Sequence, residues 1–271
     1  MTTAATTLNP FAAHTKSGMA AIYWKEAKYE FRKYLRMPMY LVVTIMFPVM
    51  FYVLFALVMN RQSRIAAIGI GTYLIAAYGA FGVMGASLVA NGPGVAADRG
   101  LGWLQLKRAS PMPPLAYFAA KFAVSMMFST ITTLLLLALG VLFGGVHIAA
   151  VKALELVLIL AAGSIPFSAL GLLIGCFTGP NSAAAAAVQL VYLPMSFASG
   201  LFFPLESMPK VMQKLSVCLP ARHLLQLALR VVGARNSGPP WFHWLVLAGF
   251  AAVCLRAASW GFQRDESKNY G

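Results

Sequence analysis

The chain has 271 residues, of which 60% are hydrophobic and only 10% charged. A soluble globule that apolar would expose far too much greasy surface, so that class is excluded. The 21 Lys and Arg against 7 Asp and Glu read as bases flanking membrane helices, where they fix topology and meet anionic lipid, and not as a nucleic-acid footprint.

Residues 1–19 are Ala- and Thr-rich, lack the apolar core of a cleavable signal peptide, and are expected to form a disordered tail. Residues 20–37 are expected to form an amphipathic interface helix. Lys25, Lys28, Arg32 and Arg36 recur at helical spacing on one face, and Trp24, Ala27, Phe31, Tyr34 and Leu35 on another. Such a helix lies in the membrane interface or packs on a partner.

Six apolar blocks follow over residues 38–262, each near the length of about 20 residues that crosses a hydrocarbon core of about 30 Å. The first runs from Pro38 to Asn60 and should kink at Pro48. The second runs from Ile65 to Ala90, and its Gly69, Gly71, Gly79, Gly82 and Gly85 predict close helix contact. After a polar interval from Asn91 to Pro114, the third covers Leu115 to Phe143. The fourth covers Ala153 to Phe177, with Pro166 near its middle and a small-residue seam of Ser164, Ser168, Gly171 and Gly175. The fifth covers Ala183 to Phe203. The sixth runs from Trp241 to Phe262 with Trp241, Trp244 and Trp260 as interface anchors, ahead of a cytoplasmic tail at residues 263–271. Span interiors nearly free of charge argue against a proton pump or ion-coupled carrier.

An even number of crossings puts both termini on one side, and that side receives 13 of the 21 bases. The excess places both termini in the cytoplasm and the chain in the cell (inner) membrane.

Two connecting segments stand out. In the interval Asp98 to Pro114, Asp98 can cap a short helix, Leu101 and Leu104 share a face, and Ser110, Pro111, Pro113 and Pro114 stop it sharply. It is either a rigid lever between two spans or an interfacial anchor in lipid. Between Phe203 and Pro240, two short amphipathic pieces, Met208 to Val217 and Ala221 to Val232, are too short to span. They either dip into the outer leaflet as a plug or form a passive cap.

Little in the chain suggests chemistry. Cys176, Cys218 and Cys254 form no CxxC pattern, and His14, His147, His223 and His243 are scattered without a ligand spacing. No catalytic residue, metal or bound cofactor is expected. A lipid-modifying enzyme would need a polar cluster at an interface, and no HxxxD, DxxD or paired histidines are found.

The order of pieces does carry a resemblance. An amphipathic N-terminal helix, two spans, the segment DRGLGWLQLKRASPMPP, three spans, the segment FFPLESMPKVMQKLSVCLPARHLLQLALRVVG and a last span resemble the membrane subunit of a type-2 ABC exporter over nearly the whole chain. Asp98-Arg99-Gly100 matches the start of the family's coupling helix and Ala109-Ser110-Pro111 its end. Asn91, Gly92, Pro93 and Gly94 stand where family members often carry acidic residues.

The resemblance implies an all-α integral membrane fold of six transmembrane helices. It includes an N-terminal interface helix, a cytoplasmic coupling helix, and short re-entrant outer helices before the last span. It implies a permease without ATPase motifs, since there is no GxxxxGK[ST] phosphate loop. The partners would be a separate ATP-binding subunit holding ATP and Mg, and a second permease in a homodimer or heterodimer. Coupling would fall to Asp98, Arg99, Gly100, Leu101, Trp103, Leu104, Lys107, Arg108, Ser110 and Pro111, with Glu26, Glu30 and Arg32 as a second contact. The cargo path, at the interface between permeases, would be lined by Phe47, Phe51, Phe81, Met84, Val188, Tyr192 and Met195. That apolar surface suits outward movement of a small hydrophobic or amphipathic drug, antibiotic or lipid-like compound. A non-transporting assembly factor or sensor partner is the alternative.

Overall fold

The computed structural model describes residues 19–59, 64–65, 68–103, 114–234 and 237–269. Residues 1–18 of the tail expected at 1–19, and Leu104, Lys107, Arg108, Ser110 and Pro111, expected to take part in coupling, lie outside the described residues.

Helix α1 (Met19–Leu35) buries Glu30 and Tyr34, both in its C-terminal half. Trp24 and Leu35, expected on the apolar face, are exposed. Five helices are long and apolar enough to cross a membrane: Pro38–Met59, Ile70–Gly100, Ala116–Leu142, Ala150–Phe177 and Pro240–Gly261. The molecule is a multi-pass α-helical membrane protein.

Helix α2 (Pro38–Met59) does not simply bend at Pro48. A π-helical stretch at Val42–Met46 precedes an α-helical piece, Phe47–Tyr52, and a second π stretch covers Val53–Met59. Pro48 has no N–H to give to the Thr44 carbonyl one turn back. Thr132 supplies the missing donor: its hydroxyl reaches Thr44 O at 3.2 Å. Gly82 makes room, because a Cβ there would stand 3.2 Å from the Pro48 ring and 3.4 Å from Thr44 O. The two-residue strands β1 (Arg64–Ile65) and β2 (Ile68–Gly69) then pair antiparallel and lead into α3.

Helix α3 (Ile70–Gly100) is the hub of the fold, with 94% of its apolar window buried against 22% for α2. It packs against α4 (Pro114–Leu142), α5 (Ala150–Ala162), α6 (Ser164–Phe177), α7 (Asn181–Ala198) and α9 (Pro220–Val231). It also runs about ten residues past the boundary at Ala90 and takes in Asn91, Gly92, Pro93, Gly94, Asp98, Arg99 and Gly100. As far as Gly100, the expected polar interval and the cap at Asp98 are therefore replaced by a continuous helix. Of the residues that read as breakers, Asn91 and Gly92 are buried, and Pro93 and Gly94 are half-buried. Asn91 donates from Nδ2 to Ser87 O at 2.7 Å and to Ser125 Oγ at 3.0 Å.

The fourth apolar block is broken into α5 (Ala150–Ala162) and α6 (Ser164–Phe177) at Gly163. Pro166 falls in the first turn of α6, where its missing N–H costs nothing. A Cβ on Gly163 would lie 2.2 Å from Leu224 Cδ1. The fifth block forms α7, 18 residues long, which carries Gln189, Pro194 and Ser196 and is not among the five apolar spanning helices. The two short pieces expected before the last span appear as α8 (Lys210–Ser216) and α9, and the last helix, α10, runs Pro240–Asn269. Arg222 ties α8 to α9, donating to Gln213 O at 2.8 Å and Ser216 Oγ at 2.6 Å.

Candidate functional site

Three helices meet at a buried ionic cluster. Lys121 of α4 is fully buried, and Glu30 of α1 and Asp98 of α3 are nearly so. An ammonium has three N–H bonds and needs three acceptors when removed from water. Lys121 Nζ finds them in Glu30 Oε1, in Asp98 Oδ2 at 3.0 Å and in Tyr34 OH at 3.2 Å. Asp98 is filled from the other side: Lys33 Nζ donates to Oδ1 at 2.8 Å and Tyr117 OH to Oδ2 at 2.8 Å. Lys33 also lies 3.8 Å from Glu30. Two carboxylates and two ammoniums make the cluster neutral, the arrangement that buried charge requires.

Tyr34 closes the network by donating to Ala90 O at 2.5 Å. Burial, partly offset by Lys121, pushes its hydroxyl up to about 12, so it keeps its proton as a donor near neutral pH. Gly94 is what lets it in: a Cβ there would be 2.1 Å from Tyr34 OH and 3.2 Å from Lys121 Nζ. The aromatic rings of Tyr34, Tyr40 and Phe128 follow one another beside the cluster, with successive centroids 4.6 Å and 4.8 Å apart.

Arg99, next in the chain to Asp98, turns to another face of α3. Its Nη1 donates to Gly175 O and Cys176 O at 2.8 Å each and to Thr178 O at 3.2 Å. It thus caps the C-terminal end of α6, where carbonyls are left over and the helix dipole is negative. Two adjacent residues clamp one end of α3 to α1 and α4 on one side and to α6 on the other. Gly102, at φ +70°, takes the left-handed conformation that ends the helix. Just beyond this clamp Leu101 and Trp103 are exposed, at 73% and 50%.

A second cluster fills the middle of the molecule. Phe81 stacks on Tyr192 at 4.8 Å, Phe51 lies edge-on to Phe202 at 5.4 Å, and Phe81 meets Phe202 at 4.9 Å. Phe47 and Phe197 extend the group through Phe51 and Phe202. Tyr192 OH donates to Phe81 O at 3.1 Å, and a Cβ on Gly85 would meet that hydroxyl at 2.8 Å. Among the described residues, no three His, Cys, Asp or Glu come together as a metal site.

A sequence-family model described as ABC-2 type transporter matches residues 23–232. The chain belongs to that family. It is also 24% identical over 243 residues to a Bacillus subtilis (strain 168) protein named "Putative transport permease YvfS", covering 90% of this chain and 98% of that one.

Within this ABC-2 chain the residues assigned to coupling fall in different places. Leu101 and Trp103 are exposed at the end of α3, with Gly100 as its last residue. Asp98 and Arg99 point inward to the clamp, and Glu30 lies inside the ionic cluster. Arg32 is exposed on α1, and Glu26 is half-buried there. Of the residues assigned to the cargo path, Phe81, Met84, Val188, Tyr192 and Met195 are buried within the chain, Phe51 is half-buried and Phe47 is exposed.

Sequence reasoning missed Lys121 as the centre of the cluster, along with Lys33, Tyr34, Tyr117 and Phe202. A lone lysine in an otherwise apolar helix was the signal for the first. The reading of scattered, unpaired histidines also needs correction, because His223 and His243 meet.

Proposed function

We propose that this chain is the membrane permease subunit of an ATP-binding cassette exporter. It crosses the cell (inner) membrane six times, α7 being the additional crossing, and has both termini in the cytoplasm. It pairs with a second permease and with a separate ATP-binding subunit that holds ATP and Mg. The reading rests above all on the family match and on one local feature: two large apolar side chains, Leu101 and Trp103, exposed beside a rigid clamp. Exposed apolar side chains on a stiff support suit docking of a partner.

In this reading the partner's nucleotide cycle presses on the end of α3. The clamp passes the displacement to α1 and α4 through Lys121, and to α6 through Arg99. A conformational equilibrium is then biased because ATP favours one of its two states.

The chain carrying Leu101→Glu with Trp103→Ala should insert and fold as the wild type does, because neither side chain supports the interior. Its retention of the ATP-binding subunit on co-purification should fall at least tenfold, about 1.4 kcal/mol. Undiminished co-purification would remove the docking assignment.

The cargo is a small hydrophobic or amphipathic compound, which the aromatic cluster would meet through π-faces and apolar edges. Phe202→Ala should cost less than about 3 kcal/mol, since this side chain is only half-buried. It should also change the ranking of aromatic compounds exported. A screen of such compounds in a strain lacking the transporter, complemented with each version, reads the change. An unaltered ranking would detach the cluster from the path.

A further inference from the structure

His223 on α9 and His243 on α10 stand Nδ1 to Nδ1 at 2.8 Å, with ring centroids 5.1 Å apart. Each ring's other nitrogen points at a backbone carbonyl: His223 Nε2 at Val217 O, 2.9 Å away, and His243 Nε2 at Ser237 O, 2.7 Å away. Both side chains are buried, and Phe242 packs edge-on against His223.

The hydrogens can be counted. A carbonyl oxygen only accepts, so both Nε2 atoms must carry hydrogen to satisfy these contacts. The central contact needs a third hydrogen, on one of the Nδ1 atoms. Two neutral imidazoles carry only two hydrogens between them. The observed chain of three contacts therefore belongs to a pair holding one additional proton and a single positive charge.

We infer that His223 and His243 form a proton-binding latch that fastens α9 to the head of α10. With the proton present, the run from Val217 through both rings to Ser237 is complete. When it leaves, two Nδ1 lone pairs face each other. One ring must then turn or change tautomer, and in doing so give up the central contact or its carbonyl. A second added proton is opposed, because two imidazolium rings would abut at the same short distance.

The charged groups bearing on the pair are Arg222 and Arg230, both on α9 and both cationic. The elements packed on α9 are α3, α5 and α10. On α5, Lys152 and Glu155 pair with each other at the surface. No carboxylate among the described side chains acts on either imidazole. Burial holds His223 below the ordinary histidine range; the Val217 carbonyl opposes this and Arg222 adds to it. The latch therefore fills and closes on acidification, and empties and loosens as the pH rises.

The experiment uses the full chain, labelled with 15N-histidine, in lipid nanodiscs from about pH 7.5 to about pH 5. Single His→Gln variants assign the signals, and exposed His147 serves as the internal reference. The expected result is one shared step, in which both Nδ1 resonances move together and separately from His147. Amide protection factors along α9, with the intrinsic pH dependence of exchange divided out, should rise at least tenfold across the same step. Separate, uncoupled titrations of the two rings, or α9 protection factors unaffected by pH, would overturn the proposal. His243→Asn replaces the ring with an uncharged donor, and the α9 protection factors of that variant should no longer change with pH; a change that persisted would also overturn it.

Discussion

A chain carrying Lys121→Met is expected to lose about 3–5 kcal/mol of stability and all transport, the cost of leaving buried carboxylates without their cation. Glu30 and Asp98 cannot retreat to solvent, being 6% and 7% exposed. Lys33 reaches both but is 40% exposed and lies at the rim. Thermal unfolding in detergent reads the stability, and export in cells reads the function.

A companion variant separates the two. Glu30→Leu, Asp98→Leu and Lys121→Met together replace the three buried charges of the cluster with apolar side chains of similar size. Such replacements are commonly close to neutral for stability. The triple variant should therefore melt near the wild type, yet it should still fail to couple if charge holds α1, α3 and α4 in step. Wild-type export from the triple variant would reduce the cluster to a structural joint. A wild-type melting temperature for Lys121→Met alone would refute its buried pairing.

Gly175→Val is the second change expected to be severe, with almost no folded protein recovered. A Cβ at this position would lie 2.6 Å from Gly92 O, 3.0 Å from Asn91 O and 3.0 Å from Val95 Cβ. Two of these three are backbone atoms of α3, which cannot move aside as a side-chain tip can. Gly171 is nearly as tight, at 2.9 Å from Asn91 Cβ and 3.1 Å from Ser87 O. Helix packing in membranes depends on such close approach of small residues. Gly92→Ala is the control, because its Cβ meets a side-chain atom, Val188 Cγ2, at 2.5 Å. It should cost about 1–3 kcal/mol and be partly relieved by Val188→Ala. Size-exclusion profiles and melting curves distinguish the two positions. A monodisperse Gly175→Val protein with a normal melt would show that α3 and α6 are not locked together here.

The apolar blocks were legible because bilayer length and hydropathy act locally along the chain. The extent of α3 was not. Asn91, Gly92, Pro93 and Gly94 have the composition of a loop, and only neighbours far away in sequence make them helix: Ser125 for Asn91, Val188 for Gly92, Tyr34 and Lys121 for Gly94. Tertiary contacts overrode local propensity there. The small-residue seam of Gly171 and Gly175 was legible, since close packing requires the residue type itself. Lys121 was counted as a topology-setting base because a sequence does not reveal that its partners are Glu30 and Asp98, 91 residues away in one case. The aromatic cluster was half legible. Phe51, Phe81 and Tyr192 stood out as large side chains in spans, whereas Phe202, at the end of the fifth apolar block, meets Phe81 only because the helix ends at Ala198 and the chain turns back. The meeting of His223 and His243 left no periodic trace, because a turn and a helix boundary separate them.

The ionic cluster also bears on how the chain is made. Lys121 is synthesised after both Glu30 and Asp98. A lysine entering the lipid without a partner carries an insertion penalty, smaller near a helix end, where Lys121 stands, than at the centre. Here the two anions that neutralise it have already emerged from the ribosome, so the third apolar segment meets waiting counter-charges on arrival. Reversing that order by circular permutation would expose the cation to hydrocarbon before its partners exist, and the permuted chain should stall or be degraded during membrane insertion.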